Sequence, residues 1–284
     1  MTNGDVAGEL LARSGLPGEI LVWRDVLYDG PRNPGWPDDD AIRARARFLA
    51  QATGGGLSED VILGGHKDRY RRLAAAADHE RIVLWFDACL FDQAMLAHLL
   101  ACLRFKGAQR VDLLRVDAFP GIEPFNGLGQ LSEEQLASLY ENRQPVTAEQ
   151  YDFAEVVDRA FALQDTAALA RLSELESAPL PWLPPAVARW LLEQPDAESG
   201  LGRLEQLAVD AVRAGCATPG KIFSTVSTND THPQFWGDTT LWAKINSLAD
   251  HQPPLVRIDG PEPRLPQWPG GTDLTRFRIT GLPA

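Results

Sequence analysis

Residues 81–86, reading Arg-Ile-Val-Leu-Trp-Phe, restrict the fold of this chain more than any other segment. The run is too short for a buried helix and carries one polar residue at its edge. Both of its faces must therefore be buried, which is the situation of a central strand in a parallel sheet covered by helices. Its surroundings agree. Met95, Leu96, Leu99, Leu100 and Leu103 repeat at helical spacing between Asp92 and Phe105, and Gly107 stops that helix. Val111–Val116 then reads as another strand. Upstream, Glu19–Asp25 is an apolar run held between Gly18 and the Asp29-Gly30-Pro31 turn, which predicts a buried strand. Helices are predicted over Val6–Arg13, Ala41–Ala52 and Ser58–Ala77. This alternation predicts an α/β domain over residues 1–130, built on a doubly wound, mostly parallel sheet.

Residues 131–199 read as a helical connecting segment. Ser132 with Gln135, and Thr147 with Gln150, have the spacing of capping boxes. Helices are expected over Ala148–Phe161, Thr166–Leu175 and Ala186–Leu192. Residues 200–284 read as a mainly helical, winged-helix-like domain. Its helices are expected over Leu204–Ala214, Thr218–Thr228 and Thr239–Ala249, followed by β pieces at Pro254–Asp259 and Leu274–Thr280.

The formal charge of -12 bears on partners. Residues 200–284 hold 8 Lys/Arg against 8 Asp/Glu, so the whole excess lies in the first 199 residues. Phosphate contacts dominate nucleic-acid affinity, and an acidic chain with a neutral C-terminal domain argues against such a partner. The third helix of that domain offers only Lys244 as a base. No apolar run approaches the roughly 20 residues that span a bilayer, so no membrane partner is expected. Three cysteines, Cys89, Cys102 and Cys216, without a CxxC pair suit reduced thiols and a cytoplasmic location.

In a doubly wound sheet, ligands bind beyond the carboxyl ends of the strands. That rule selects Arg24, Asp25, Asp87, Asp92, Asp117 and Phe119; Gln93 is a further ligand-binding candidate, as are Asn3, Gly4 and Asp5 at a helix start. Asp25, Asp87 and Asp92 are the catalytic candidates, because clustered carboxylates hold Mg²⁺ or share a proton. The same aspartates also suit turns and helix caps, Asp92 as an N-cap in particular. Arg43, Arg45 and Arg47, with Lys67, Arg69, Arg71 and Arg72, offer either a basic rim that would steer a phosphate or a solvated helix face. The five histidines show no metal-ligand spacing, and Gly54-Gly55-Gly56 lacks the Gly-Lys-Ser/Thr of a phosphate loop.

Four segments, Asn3-Gly4-Asp5, WRDVLYDGP (residues 23–31), LWFDACLFDQ (84–93) and FPGIEPFNGLGQLS (119–132), resemble in order the bacterial family catalogued as domain of unknown function 1835. TPGKIF (218–223) and WGDTTLW (236–242) resemble the C-terminal domain often joined to it. Where this chain has Asp87-Ala88-Cys89, the family reads more like Glu-His-Asp. The resemblance implies membership and names no reaction. The residues lead to a small-molecule binding or regulatory protein whose ligand carries a phosphate, or one that engages a protein partner. The alternatives are a Mg²⁺-dependent enzyme using the aspartates and a DNA-binding regulator.

Overall fold

A computed structural model of the chain describes residues 1–268 and 273–282. By its internal contacts the chain divides into two compact units. The first comprises Met1–Arg45 and Leu63–Leu191, the second Ala46–Ile62 and Leu192–Ala284.

The elements follow in the order β1 (Thr2–Asn3), α1 (Asp5–Arg13), β2 (Val22–Trp23), α2 (Asp39–Ala52), α3 (Glu59–Ala75), β3 (Ile82–Phe86), α4 (Leu90–Phe105) and β4 (Val111–Arg115). Then come α5 (Glu133–Leu139), β5 (Gln144–Pro145), α6 (Ala148–Ala162), α7 (Thr166–Ser173) and α8 (Leu183–Leu191). The sheet order is β2-β1-β3-β4-β5, with the first four strands parallel and β5 antiparallel to β4. The expected α/β architecture with a mostly parallel sheet is therefore present. The chain reverses its direction of travel across the sheet between β1 and β3, and this is where such sheets open a crevice.

β3 is the apolar run singled out above. Leu84 and Phe86 are wholly buried, and β3 pairs with β4 over its full five residues, from Ile82↔Val111 to Phe86↔Arg115. Helix α4 follows it directly and is buried on almost every side, from Leu90 to Leu103. It packs on α6 and α8 as well as on β3, which explains why its sequence is apolar beyond a single stripe. On the opposite side, Leu11 of α1 packs with Trp85, Leu114, Val116 and Leu136.

Several expectations need correction. The strand foreseen over Glu19–Asp25 pairs only at Val22–Trp23, because β1 offers it just two residues of backbone, Thr2 and Asn3. Asn3, placed in the sequence at a helix start with Gly4 and Asp5, is with Thr2 itself that strand. The turn is confined to Gly4, whose φ of 75° is left-handed. Asp92 does not cap α4. Cys89 occupies that position and Asp92 stands one turn inside.

The second unit contains α9 (Arg203–Arg213), α10 (Pro219–Asn229), α11 (Asp238–Asp250), β6 (Val256–Asp259) and β7 (Arg278–Gly281). β6 and β7 are antiparallel, with Ile258 opposite Ile279. The second β piece begins later than expected, since Leu274–Arg276 forms a 3-10 turn closed by the Asp273 side chain. Leu241, Trp242, Ile245 and Leu248 of α11 are buried, so this face is core, and Lys244 faces Glu205 at 3.5 Å.

Candidate functional site

The carboxyl ends of β1 and β3 place Asn3, Asp87, Cys89, Asp92 and Gln93 together. Asp87 follows the last residue of β3, and the next turn leads into α4. Cys89 Sγ accepts the N–H of Asp92 at 3.4 Å, a weak cap. Asp92 turns back towards the strands. One of its oxygens accepts the side-chain amide of Asn3, and the other accepts the backbone N–H of Asp87 at 2.8 Å. Gln93 donates to the carbonyl of Asp87 at 2.6 Å. Asp87 Oδ1 accepts the N–H of Cys89 at 2.9 Å. The Cys89 side chain also bonds the Asp87 carboxylate, whose second oxygen is Oδ2.

That oxygen looks towards Gly127, in the loop between β4 and α5. Gly127 has φ 130° and ψ 173°, a conformation essentially restricted to glycine. A Cβ placed on it would stand 2.7 Å from Asp87 Oδ2. The loop backbone thus closes over the carboxylate as no other residue would allow. Nothing in the local sequence except the Gly-rich character of residues 121–129 pointed to this contact.

Asp87 and Asp92 are both buried, and among the described residues no salt bridge reaches either. Burial pushes the Asp87 carboxyl above its usual 3.8, against the hydrogen bonds from Cys89. Burial, and then the charge of Asp87, pushes Asp92 well above the same value. The donors from Asp87 and Asn3 oppose that rise. The pair therefore retains a proton far above the ordinary carboxylate range. Burial and the two flanking carboxylates keep Cys89 as a thiol. A buried acid pair of this kind can hand a proton to a bound molecule or take one from it.

Asp25 does not join this group. It is buried with its Oδ1 held by Nε and Nη2 of Arg45 at 2.9 and 2.7 Å, and Arg45 also reaches the carbonyls of Val26 and Asp29. Burial alone would raise Asp25, but Arg45, His66 and Arg69 outweigh it and hold it below 3.8. The aspartate trio expected to bind Mg²⁺ is thus split between two places. The trio that does converge is Asp87, Cys89 and Asp92, whose ligand atoms lie within 4.8 Å of one another. It does not fit Mg²⁺, which requires oxygen ligands in octahedral array. Cys89 supplies sulfur, and both oxygens of Asp92 already accept hydrogen bonds.

The basic residues do not form a rim. Arg45 and Arg69 point inward. Arg43, Arg47, Arg71 and Arg72 pair with Asp39, Glu59, Asp68 and Glu19. Arg24 pairs with Asp5 at the surface, and Asp117 is exposed. Phe119 bridges to Ile122 and packs against the core beneath α1. The start of α1 carries no side-chain cap at Gly4, which leaves its first-turn N–H groups open beside Asn3.

Two buried histidines were not foreseen as partners of this edge. Arg69 donates to His66 Nδ1 at 3.0 Å, so the proton of neutral His66 sits on Nε2, a buried donor without an acceptor. His98 Nδ1 meets Asp158 Oδ1 at 3.1 Å and its Nε2 meets the Tyr70 hydroxyl at 2.7 Å. Arg32 closes that network on Asp158 at 2.6 Å.

No family model matches the chain, and no curated protein matches it.

Proposed function

We propose that the protein binds a small polar molecule in the crevice where β1 and β3 end, and that Asp87 and Asp92 are the groups that recognise it. The observation that carries this reading is the buried, unpaired acid pair at the crossover point of the sheet. Ion pairing would make it structural, and among the described residues no salt bridge reaches it. Two features support the reading. The open N–H groups of α1 suit a phosphate or carboxylate on the ligand. Three of the four segments that resemble the bacterial family named above supply Asn3 and Gly4, Asp87 to Gln93, and Gly127, and these meet at this crevice. A protein that binds in this way is a sensor or regulator.

The raised proton affinity of Asp87 and Asp92 favours one alternative, an enzyme that moves a proton at this site without Mg²⁺. DNA binding is disfavoured, because the α11 face that would be read against DNA is buried and Lys244 is engaged by Glu205.

A thermal-shift screen against nucleotides, sugar phosphates and organic acids tests the proposal. A ligand at 100 times its Kd stabilises the native state by about 2.7 kcal/mol. The expected hit disappears in Asp87→Asn. A hit that Asp87→Asn leaves intact would move the site elsewhere. Turnover of the hit by the unsubstituted protein, abolished in Asp87→Asn, would select the enzyme over the sensor.

A further inference from the structure

Asp87 and Asp92 are only 7% and 1% exposed, so a molecule recognised by this pair reaches it only when part of the protein moves aside. The part that covers Asp87 is the loop between β4 and α5. We propose that residues 124–130 of this loop are a lid that controls entry to the crevice, with Leu128 as its latch. The proposal rests on the reading of Asp87 and Asp92 as the recognition pair.

The loop is built to move as one piece. Gln130 Oε1 accepts the Asn126 N–H, and Gln130 Nε2 donates to the Pro124 carbonyl at 3.3 Å. The N–H groups of Gln130 and Leu131 donate to the carbonyls of Gly127 and Leu128 at 3.1 and 3.2 Å. These bonds close within the loop and its junction with α5, so lifting the lid need not break them. Pro124, Asn126 and Gln130 face solvent, whereas Gly127 and Leu128 are buried. The segment thus has a wet outer face and a dry inner one.

The inner face meets the rest of its unit at three places. Gly127 lies over Asp87, closely enough that a Cβ would stand 2.7 Å from Oδ2. Leu128 is 3% exposed and packs in the cluster that holds Ala7 and Leu11 of α1. Gly129 faces Val6 on the same helix, where a Cβ on the glycine would stand 3.6 Å from Val6 Cβ. The latch is therefore an apolar contact. Such contact is not directional, and releasing it strands no donor or acceptor. Surface loops held by few apolar contacts open locally while the fold persists. Closure then excludes water from the acid pair and its bound molecule, as lids over reacting or recognising groups do.

The lid is tested by fastening it. A Cβ separation of 3.6 Å suits a disulfide, so Val6→Cys with Gly129→Cys joins the lid to α1 when oxidised and frees it after reduction and desalting. The readout is carboxyl labelling by a water-soluble carbodiimide with glycine ethyl ester, resolved by peptide mass spectrometry, which also confirms the bridge. Asp158 is buried as deeply but is held by Arg32 and His98, so its labelling reports opening of the whole unit. Asp87 should label about tenfold or more slowly in the oxidised form than in the reduced form, with Asp158 unchanged. Gly127→Ala places a Cβ against Asp87 and holds the lid off, so Asp87 should label about tenfold or more faster than in the unsubstituted chain, again without Asp158. Equal Asp87 labelling in the two redox forms would overturn the lid. So would Asp87 and Asp158 changing by the same factor, which is the mark of general stabilisation. No ligand enters this test, so its failure leaves the crevice to be judged by the Asp87→Asn screen.

Discussion

Two sets of buried carboxylates sit in the same unit of this protein and are treated in opposite ways. Asp25 and Asp158 are each locked by a buried guanidinium, Arg45 and Arg32 respectively, at 2.7 and 2.6 Å. Asp87 and Asp92 are as deeply buried and, among the described residues, are met by N–H donors and the Cys89 side chain but by no guanidinium. The arginines hold the first set below the usual carboxylate range despite burial, while the second set is driven above it. An ion pair fixes the geometry of a loop and leaves no free chemistry. An unpaired acid is costly to keep, and its retention at a crevice is what a binding or reacting group requires. Burial and residue type are the same in both sets, so the partner decides the role.

The sharpest way to break this comparison is to take the partner away. Arg45→Met leaves Asp25 as an uncompensated buried charge and removes the donors that hold the carbonyls of Val26 and Asp29. The expected loss is about 3–5 kcal/mol in urea unfolding. Combining it with Asp25→Leu should recover most of that loss, because well-packed apolar pairs replace buried ion pairs at little cost. If the double variant is no better than Arg45→Met alone, the pair is not what sets the stability of this region.

A somewhat smaller effect should appear on acidification, and His66 carries it. Burial, with Arg69 and Arg45 adding to it, lowers His66 from 6.5 to about 4 against the pull of Asp25. A group with a depressed folded value binds fewer protons when folded. Its stabilising contribution is complete above pH 6.5 and is lost as the pH falls towards 4. The full loss amounts to about 3 kcal/mol. Asp25 and Asp158, also depressed, lose their contributions only below the ordinary carboxylate value of 3.8, so the two windows are separate. His66→Gln keeps an acceptor for Arg69 and should flatten the stability profile between pH 6.5 and 4. An unchanged slope in that variant would assign the acid loss to another group.

What could be read in the sequence follows from the range of the forces involved. The apolar run of β3 and the stripe of α4 announce a covered parallel sheet because hydrophobic burial shows as local periodicity. The capping boxes at Ser132 and Thr147 formed as their spacing predicts, because each needs only four consecutive residues. The rule that ligands sit at strand ends selected Asp87 and Asp92, the helix-start argument added Asn3, and these do meet, with Gln93 beside them. The same rule added Asp25 and Phe119, which do not. The sequence distance between Asp25 and Arg45 carries no periodic signal, and the ion pair exists only once α2 lies over the end of β2. Gly127 was hidden for the same reason. Its glycine is required by a carboxylate 40 positions away.

The smallest effect is also the one with the most distinctive sign. Asp87→Asn keeps the Oδ1 acceptor for the backbone N–H of Cys89 and replaces the other oxygen. It removes one buried charge and relieves the like-charge repulsion on Asp92. For groups with raised folded values, stability is complete below about pH 4 and is lost as the pH rises through the raised values. The substitution should therefore leave stability near pH 4 unchanged and increase it at pH 8. Few substitutions of a buried polar residue stabilise a protein, and a gain confined to high pH would identify Asp87 as a group kept at a cost to folding. A loss at pH 8 of the size expected for Arg45→Met would mean that Asp87 is structural after all. The contrast between the two sets of carboxylates would then collapse into one role.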